Sequence, residues 1–193
     1  MIAAQAIRRS KGIPLDAFEI VSVGELNKNK NHRVIIEAIS KLEMKDKIHY
    51  AIAGIGDQKE TLENLAEALN VNLHLLGYCN DIPSLYGSAD VCAFPSIREG
   101  LGMAAIEGMA SGLPLVCSEN RGTAEFLSCG VMLTQSQDIG LFAENIRELI
   151  KNRSMCIELG IINKEESRKF DIAVVNKKMK AIYKELLSAN QYM

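Results

Sequence analysis

Residues 91–108 read VCAFPSIREGLGMAAIEG. The apolar run 91–94 predicts a buried strand, Pro95 and the glycines at positions 100 and 102 predict a tight loop, and residues 102–111 predict a helix. The start of a helix presents unpaired N–H groups and a partial positive charge, which together attract phosphate. The stretch therefore predicts a strand–loop–helix unit with an anion site at the beginning of the helix.

Two carboxylates flank this predicted anion site. Glu99 lies in the loop, and Glu107 lies about one and a half turns into the helix, where its side chain leans back toward the N-terminus. A carboxylate pairs poorly with phosphate but accepts hydrogen bonds well from sugar hydroxyls. The combination predicts a nucleotide sugar as ligand, although the spacing alone also fits two solvated surface glutamates.

Apolar runs and helical stripes alternate along the rest of the chain. Strands are predicted at 18–24, 48–54, 71–76, 91–94, 113–118 and 130–133. Helices are predicted at 31–42, 59–69, 81–88, 102–111, 139–151 and 171–188, with a helical turn at 123–127 and a basic helix or linker before residue 17. Alternation of this kind indicates βαβ units. The fold class predicted is α/β: a Rossmann-like, doubly wound parallel sheet of about six strands, flanked by helices.

The glycine and proline motifs of the chain fall on one edge of this predicted sheet. Gly24, Gly54, Gly77 and Pro95 each follow a strand. In open parallel sheets ligands bind at the carboxyl ends of the strands, where the strand order reverses. We therefore expect these loops to form one binding rim.

Composition limits the possible functions. The chain has 193 residues, a net charge of -2 and 48% hydrophobic residues, which fits one α/β domain and gives no electrostatic case for nucleic acid. No apolar stretch reaches the ~18 residues that span a bilayer, and the first twelve residues lack the apolar core of a signal peptide. Five cysteines without a CxxC motif indicate a reducing cytoplasm rather than a disulfide framework or a zinc site.

Four segments carry a family resemblance. Residues 96–114 closely resemble the E-x7-E signature of the retaining glycosyltransferases of family four, which are two-domain enzymes of the GT-B type. The run VSVGELNKNKNH at 21–32 looks like the opening strand and phosphate loop of that family, and AGIGD at 53–57 and LGY at 76–78 match further on. The matches follow the family's order from about Phe18 to the end of the chain, so the chain resembles the C-terminal half of a GT-B fold.

The resemblance implies roles for particular residues. It assigns Glu99 to the transferred sugar, as the catalytic candidate, and Glu107 to the ribose hydroxyls. The remaining candidates for donor binding are Gly24 and Lys30 in the phosphate loop, Tyr78 beside the base, and Gly100, Leu101, Gly102 and Met103 as amide donors to the diphosphate. It implies a UDP-linked sugar as donor, with no cofactor and no metal. Without the resemblance, Lys30 reads as a solvated loop lysine, Gly24 as a turn glycine and Tyr78 as a packing residue.

The chain departs from the family pattern in two respects. Glu25 stands where the family usually has an arginine, so the second cationic contact to phosphate is missing. Family members are also about twice as long, with an N-terminal Rossmann-like domain that binds the acceptor. We therefore predict that residues 1–16 are an interdomain linker remnant and that residues 17–193 form the nucleotide-sugar-binding domain.

The predicted function is the donor-binding domain of a retaining glycosyltransferase of cell-surface polysaccharide or glycoconjugate synthesis. The expected partner is an acceptor-binding domain, on this protein or on a separate chain, and membrane association is expected only through that missing half. A non-catalytic nucleotide-sugar-binding or partner-binding module, or half of a split enzyme, is the alternative, and a nucleotide-sugar epimerase is a weaker one. The apolar stripe of the last helix, between Ile172 and Leu186, is expected to be only partly covered by its own domain.

Overall fold

The computed structural model describes residues 2–124 and 130–189. Six strands form one sheet: β1 (Phe18–Val23), β2 (Ile48–Ala53), β3 (Asn72–Gly77), β4 (Val91–Phe94), β5 (Leu115–Ser118) and β6 (Val131–Thr134). The order is β3-β2-β1-β4-β5-β6, and neighbouring strands run parallel. The predicted doubly wound sheet of six strands is confirmed.

The helices alternate with the strands, and most of them begin and end near the predicted residues. They are α1 (Ile2–Ser10), α2 (His32–Ser40), α3 (Lys59–Leu69), α4 (Ile82–Ser88), α5 (Met103–Ala110), α6 (Arg121–Ala124), α7 (Ile139–Lys151), α8 (Arg153–Ser167) and α9 (Ile172–Ala189). Short 3-10 turns occupy Lys45–Lys47 and Arg168–Phe170. Of the helical turn predicted at 123–127, only residues 123 and 124 are described, and both belong to α6. Residues 125–129, which include Cys129, lie outside the described residues.

Both faces of the sheet are buried. Ile20 and Val21 are adjacent in β1 and completely inaccessible, yet they point to opposite sides because side chains alternate along a strand. Ile20 packs into a cluster with residues of α2, α3 and α7, whereas Val21 packs with residues of α4 and α5. This two-sided burial explains why the strands read as continuous apolar runs rather than as alternating ones.

Helix α1 is tied to the amino ends of the strands by Arg8. Its guanidinium donates hydrogen bonds to the carbonyl oxygens of Ala17 and Ser88, both at 2.8 Å, and forms an ion pair with Asp90 at 2.7 Å. The helix lies against α4. Assignment of residues 1–16 as a linker remnant remains a prediction.

Helix α9 exposes its apolar stripe. Ile172 is 70% exposed, Ile182 50% and Leu186 58%, so the expectation that its own domain covers the stripe only partly is confirmed. Asp171 caps the helix, because its Oδ1 accepts a hydrogen bond from the Ala173 N–H at 2.7 Å. No helix within the described ranges combines the length and apolar character needed to cross a membrane.

Candidate functional site

The strand order reverses between β1 and β4, so the loops that follow these two strands frame the crevice where doubly wound sheets bind ligands. Residues 24–31 form the first loop and residues 95–102 the second. The loop after β2 joins the first of these loops, since the Leu26 N–H donates to the Ile55 carbonyl oxygen at 3.0 Å and the Gln58 N–H donates to the Leu26 carbonyl oxygen at 2.9 Å. The Gly54 N–H donates to the carbonyl oxygen of Gly77, the last residue of β3, at 2.8 Å. The predicted motifs therefore meet on one rim.

Glycines let the loops after β1 and β2 pack backbone against backbone. A Cβ added to Gly54 would lie 1.9 Å from the carbonyl oxygen of Gly24, and one added to Gly56 would lie 2.3 Å from that of Leu26. Real atoms do not approach so closely, so glycine is required at both positions. These contacts fix the first loop, including Gly24, at the floor of the rim.

The side chain of Asn29 joins the loops after β1 and β4. Its Nδ2 donates to the Arg98 carbonyl oxygen at 3.0 Å, and its Oδ1 accepts from the Arg98 N–H at 3.2 Å. The Ile97 N–H donates to the backbone oxygen of Asn29 at 2.8 Å. Asn120, after β5, adds a bond from its Nδ2 to the Ser96 carbonyl oxygen at 2.9 Å. The rim is therefore a hydrogen-bonded unit across three loops.

Lys30 and Glu99, predicted for different parts of one ligand, contact each other. The Lys30 Nζ lies 2.5 Å from the Glu99 Oε1, and the two side chains are 22% and 14% exposed. Lys30 also lies over the Phe94 ring, with its Nζ 5.5 Å from the ring centroid. The structure thus brings a cation and a carboxylate together at the switch point, the place between β1 and β4 where the strand order reverses.

The loop between Glu99 and α5 presents unpaired amides. Gly102 precedes the first residue of α5 with φ 69°, a left-handed conformation that glycine adopts without strain. Within the described part of the chain, the N–H groups of Gly100, Leu101 and Gly102 donate to no protein acceptor. Met103 begins the helix and is 55% exposed. Free donors at a helix start are the feature that binds phosphate groups.

Glu107 and Tyr78 line adjoining depressions that share Ile82. Glu107 borders one of about 280 Å³, with Pro83 and Tyr86 among its walls. Tyr78 and Gly24 border the other, of about 460 Å³, which falls within the size range of small-molecule sites. Desolvation raises the pKa of the Glu107 carboxyl. Tyr78 is 78% exposed, so the packing interpretation of this residue is wrong and its ring is free to stack.

Glu25 and Arg98 stand at the edge of the site. Glu25 is exposed, and its Oε2 accepts a hydrogen bond from the Asn27 Nδ2 at 2.9 Å. The anion at the position of the usual arginine is therefore engaged within its own loop. Arg98 is exposed and belongs to no ion pair within the described ranges, so its backbone, rather than its charge, joins the rim.

A buried polar network supports the first loop from below. The Tyr50 hydroxyl bonds to the Ser22 Oγ at 2.8 Å and to the His32 Nδ1 at 3.0 Å, and the Ser22 Oγ donates to the Ala93 carbonyl oxygen at 2.6 Å. Burial lowers the pKa of His32 to about 4, so the imidazole is neutral. His32 is the first residue of α2, and Asn31 precedes it at the capping position in a left-handed conformation.

A third depression, of about 510 Å³, lies at the opposite, amino end of the strands. Its two arginines are paired with carboxylates: Arg8 with Asp90 at 2.7 Å and with Glu19 at 3.1 Å, and Arg153 with Asp90 at 2.5 Å. These contacts hold α1 and the start of α8 to the sheet. The carboxyl rim is the better candidate because its amide donors are unpaired and its loops converge on one point.

This fold and site define a doubly wound α/β domain with unpaired amides before the helix α5 and two glutamates, Glu99 and Glu107, in the same strand–loop–helix unit. The chain belongs to the family described as "Glycosyl transferases group 1", which matches residues 3–166. The recognition of a group of GT-B glycosyltransferases from the motifs is thereby confirmed.

Similar proteins agree with this assignment. The chain is 36% identical over 187 residues to the putative glycosyltransferase EpsD of Bacillus subtilis (94% of this chain, 49% of EpsD). It is 28% identical to the D-inositol 3-phosphate glycosyltransferase of Corynebacterium efficiens (97% of this chain, 47% of that protein). The chain therefore spans about half the length of these relatives.

Solved structures confirm the fold. Anabaena HepE in complex with UDP superposes with a TM-score of 0.85 at 20% identity, covering 95% of this chain and 53% of HepE. The sucrose-phosphate synthase of Thermosynechococcus elongatus superposes with a TM-score of 0.86 at 22% identity, covering 98% of this chain and 49% of that one. At these identities the likeness establishes the architecture alone, that of one half of a GT-B protein.

Proposed function

We propose that this chain binds the nucleotide-sugar donor of a retaining glycosyltransferase. The observation that carries the proposal is the meeting of Lys30 and Glu99 at the switch point, beside the unpaired amides that precede α5. A cation and free N–H groups suit a diphosphate, and rim carboxylates suit sugar hydroxyls. Family membership and the structure of HepE in complex with UDP support a uridine nucleotide.

The ligand is divided among the candidate residues as follows. The amides of residues 100–103 and the Lys30 ammonium hold the diphosphate. Glu107 accepts from the ribose hydroxyls, Glu99 accepts from the transferred sugar, and Tyr78 stacks on the base. Gly24 allows the ligand to approach the backbone. The transfer itself also needs an acceptor held in register with the donor. We propose that the acceptor is bound by a second domain, which accounts for the additional length of the relatives.

The biological role proposed is synthesis of a cell-surface polysaccharide or glycoconjugate, in the cytoplasm. The chain's similarity to EpsD and to the D-inositol 3-phosphate glycosyltransferase supports a role in sugar transfer. A screen of UDP-linked sugars against the purified chain, read by calorimetry or by NMR, identifies the donor.

The ribose role of Glu107 is tested against a control glutamate. Glu107→Ala should weaken plain UDP by tenfold or more, because a charged acceptor with two hydroxyl partners is lost, each bond being worth about 1.5–3 kcal/mol. Glu67→Ala is the matched control, since Glu67 is also an exposed helical glutamate, on α3 and away from the rim. If both variants bind UDP like the wild type, the ribose site is elsewhere.

A non-catalytic nucleotide-sugar-binding module is the second candidate, and Glu25 is the observation that favours it. An anion in the phosphate loop weakens the hold on a leaving diphosphate without preventing recognition of the sugar. Glu25→Arg distinguishes the two. In a transferase half the wild type already binds UDP and the substitution changes its affinity modestly, whereas in a non-catalytic module the wild type holds the diphosphate weakly and the substitution strengthens UDP binding markedly.

A further inference from the structure

The Lys30–Glu99 ion pair joins two loops that the strand order brings together. Lys30 follows β1, Glu99 follows β4, and their charged atoms are 2.5 Å apart. Both side chains are largely buried, at 22% and 14% exposure, so solvent screens the pair less than it screens pairs on an open surface. The pair is therefore a defined feature of the rim.

Packing on both sides holds the two residues against each other. The aliphatic part of Lys30 lies against Gly24, where an added Cβ would be 3.3 Å from the Lys30 Cε. The backbone of Glu99 lies against Gly122, where an added Cβ would be 2.6 Å from the Glu99 oxygen. Together with the Asn29 bonds across the loops, these contacts leave the side chains little freedom to separate without a competing partner.

Neither residue has another ionic partner within the described ranges. The Lys30 ammonium is thus neutralised by Glu99, and the Glu99 carboxylate is occupied by Lys30. Each group is engaged at the place where the donor needs it: the diphosphate needs the ammonium, and the sugar hydroxyls need the carboxylate. Binding of either half of the donor must act on the same ion pair.

We propose that the Lys30–Glu99 pair makes recognition of the diphosphate and of the sugar interdependent. This inference rests on the proposed function. A diphosphate draws Lys30 away and leaves Glu99 a partly buried carboxylate without a partner, which is unfavourable. A nucleotide sugar supplies hydroxyl donors to that carboxylate at the same time. The pair therefore favours the sugar-bearing donor over the bare nucleoside diphosphate, and it re-forms when the diphosphate product leaves.

Glu99→Gln tests the coupling, because it removes the charge and keeps the size of the side chain. We expect this variant to bind plain UDP about three- to tenfold more tightly than the wild type, since Lys30 is then free. The additional affinity of a UDP-sugar over UDP should shrink in the same variant. Glu37→Gln is the control: Glu37 is paired to Arg33 at 2.8 Å and its side chain is similarly buried, at 20% exposure.

A second pair of variants separates the coupling from a general loss of negative charge. Lys30→Gln should weaken UDP, and adding Glu99→Gln to it should change UDP affinity no further. If Glu99→Gln tightens UDP equally with and without Lys30, the effect is long-range electrostatics and the coupling is overturned. If Glu99→Gln alone binds UDP no more tightly than the wild type does, the coupling is also overturned.

The outcomes keep the coupling and the proposed function distinct. Wild-type binding of UDP-sugar with no tightening of UDP in Glu99→Gln removes the coupling and leaves the donor site standing. Absence of UDP and UDP-sugar binding in the wild type and in both single variants, each folded by circular dichroism, removes both. Unaltered UDP binding by Lys30→Gln removes the lysine from the phosphate site, and the coupling with it.

Discussion

Asn29 and Arg98 are joined by two hydrogen bonds that close a ring between the loops after β1 and β4. The Asn29 amide donates to the Arg98 carbonyl oxygen and accepts from the Arg98 N–H, at 3.0 Å and 3.2 Å. The residues are 69 positions apart in the chain. Their contact sets the distance between the lysine and the glutamate of the candidate site, because Lys30 and Glu99 are the next residues along each loop.

Loss of this contact should weaken binding as well as lower stability. Asn29→Ala removes two exposed hydrogen bonds, which costs about 1 kcal/mol of folding free energy at most. We expect UDP affinity to fall about fivefold, because the two loops no longer hold one geometry. Calorimetric titration with UDP and urea unfolding of the same preparation measure the two effects.

Asn72→Ala is the matched control for that prediction. The Asn72 Nδ2 also donates to two backbone oxygens, those of Asp46 and Ile48, both at 3.2 Å, but at the amino ends of the strands. Its substitution should cost similar stability and leave UDP affinity unchanged. Equal losses of affinity in both variants would show that Asn29 acts through global stability alone.

The local sequence pattern was sufficient to predict the helices and strands, but it was insufficient to predict the side-chain contacts of the candidate site. Helix α3 and strand β4 have the bounds that periodicity predicts, because short apolar runs and a single helical stripe are properties of neighbouring residues. The convergence of Gly24, Gly54 and Pro95 on one edge followed from the rule for parallel sheets.

No such sequence pattern predicts the contacts between segments that are far apart in the chain. Lys30 and Glu99 belong to different motifs of the sequence, and nothing in their spacing of 69 residues indicates that the two charges pair. His32 likewise follows a polar loop in the sequence, yet it is 3% exposed and bonded to Tyr50 in β2. Side-chain pairing across strands depends on register and loop shape, which one sequence does not reveal.

Substitution of Gly54 tests the backbone packing beneath the rim. Gly54→Ala would place a Cβ 1.9 Å from the Gly24 oxygen, so the loops must separate, and we expect a loss of about 3 kcal/mol in the free energy of unfolding. Gly87→Ala is the control, because nothing lies within 4 Å of an added Cβ there and the residue is within α4. It should stabilise the protein by about 0.5–1 kcal/mol. Urea unfolding of both variants at pH 7 decides between these expectations.

The buried His32 makes stability depend on pH. Its pKa in the folded protein is about 4, below the ordinary value of 6.5, so the unfolded chain binds a proton that the folded protein excludes. Stability from this residue is fully present above pH 6.5 and is lost as the pH falls toward 4, by about 3 kcal/mol.

His32→Gln isolates that contribution, because glutamine does not titrate. The free energy of unfolding of the wild type should fall relative to the variant between pH 6.5 and pH 4. His49 and His74, whose pKa values burial lowers, and Glu19, whose pKa burial raises, are present in both proteins and cancel in the difference. Parallel pH profiles of the two proteins would mean that the pKa of His32 is the same in the folded protein as in the unfolded chain.

The purified 193-residue chain should turn over no donor by itself. Retaining transfer needs donor and acceptor in fixed register with water excluded, and the described rim offers one wall, with Tyr78 and Met103 more than half exposed. Incubation with UDP-sugars and candidate acceptors, followed by mass spectrometry of the products, should show only background hydrolysis. An acceptor-binding half of a relative, supplied as a separate chain, should restore transfer in the wild type and much less in Glu99→Ala. Robust transfer by the chain alone would contradict this expectation and place the acceptor site on the domain described.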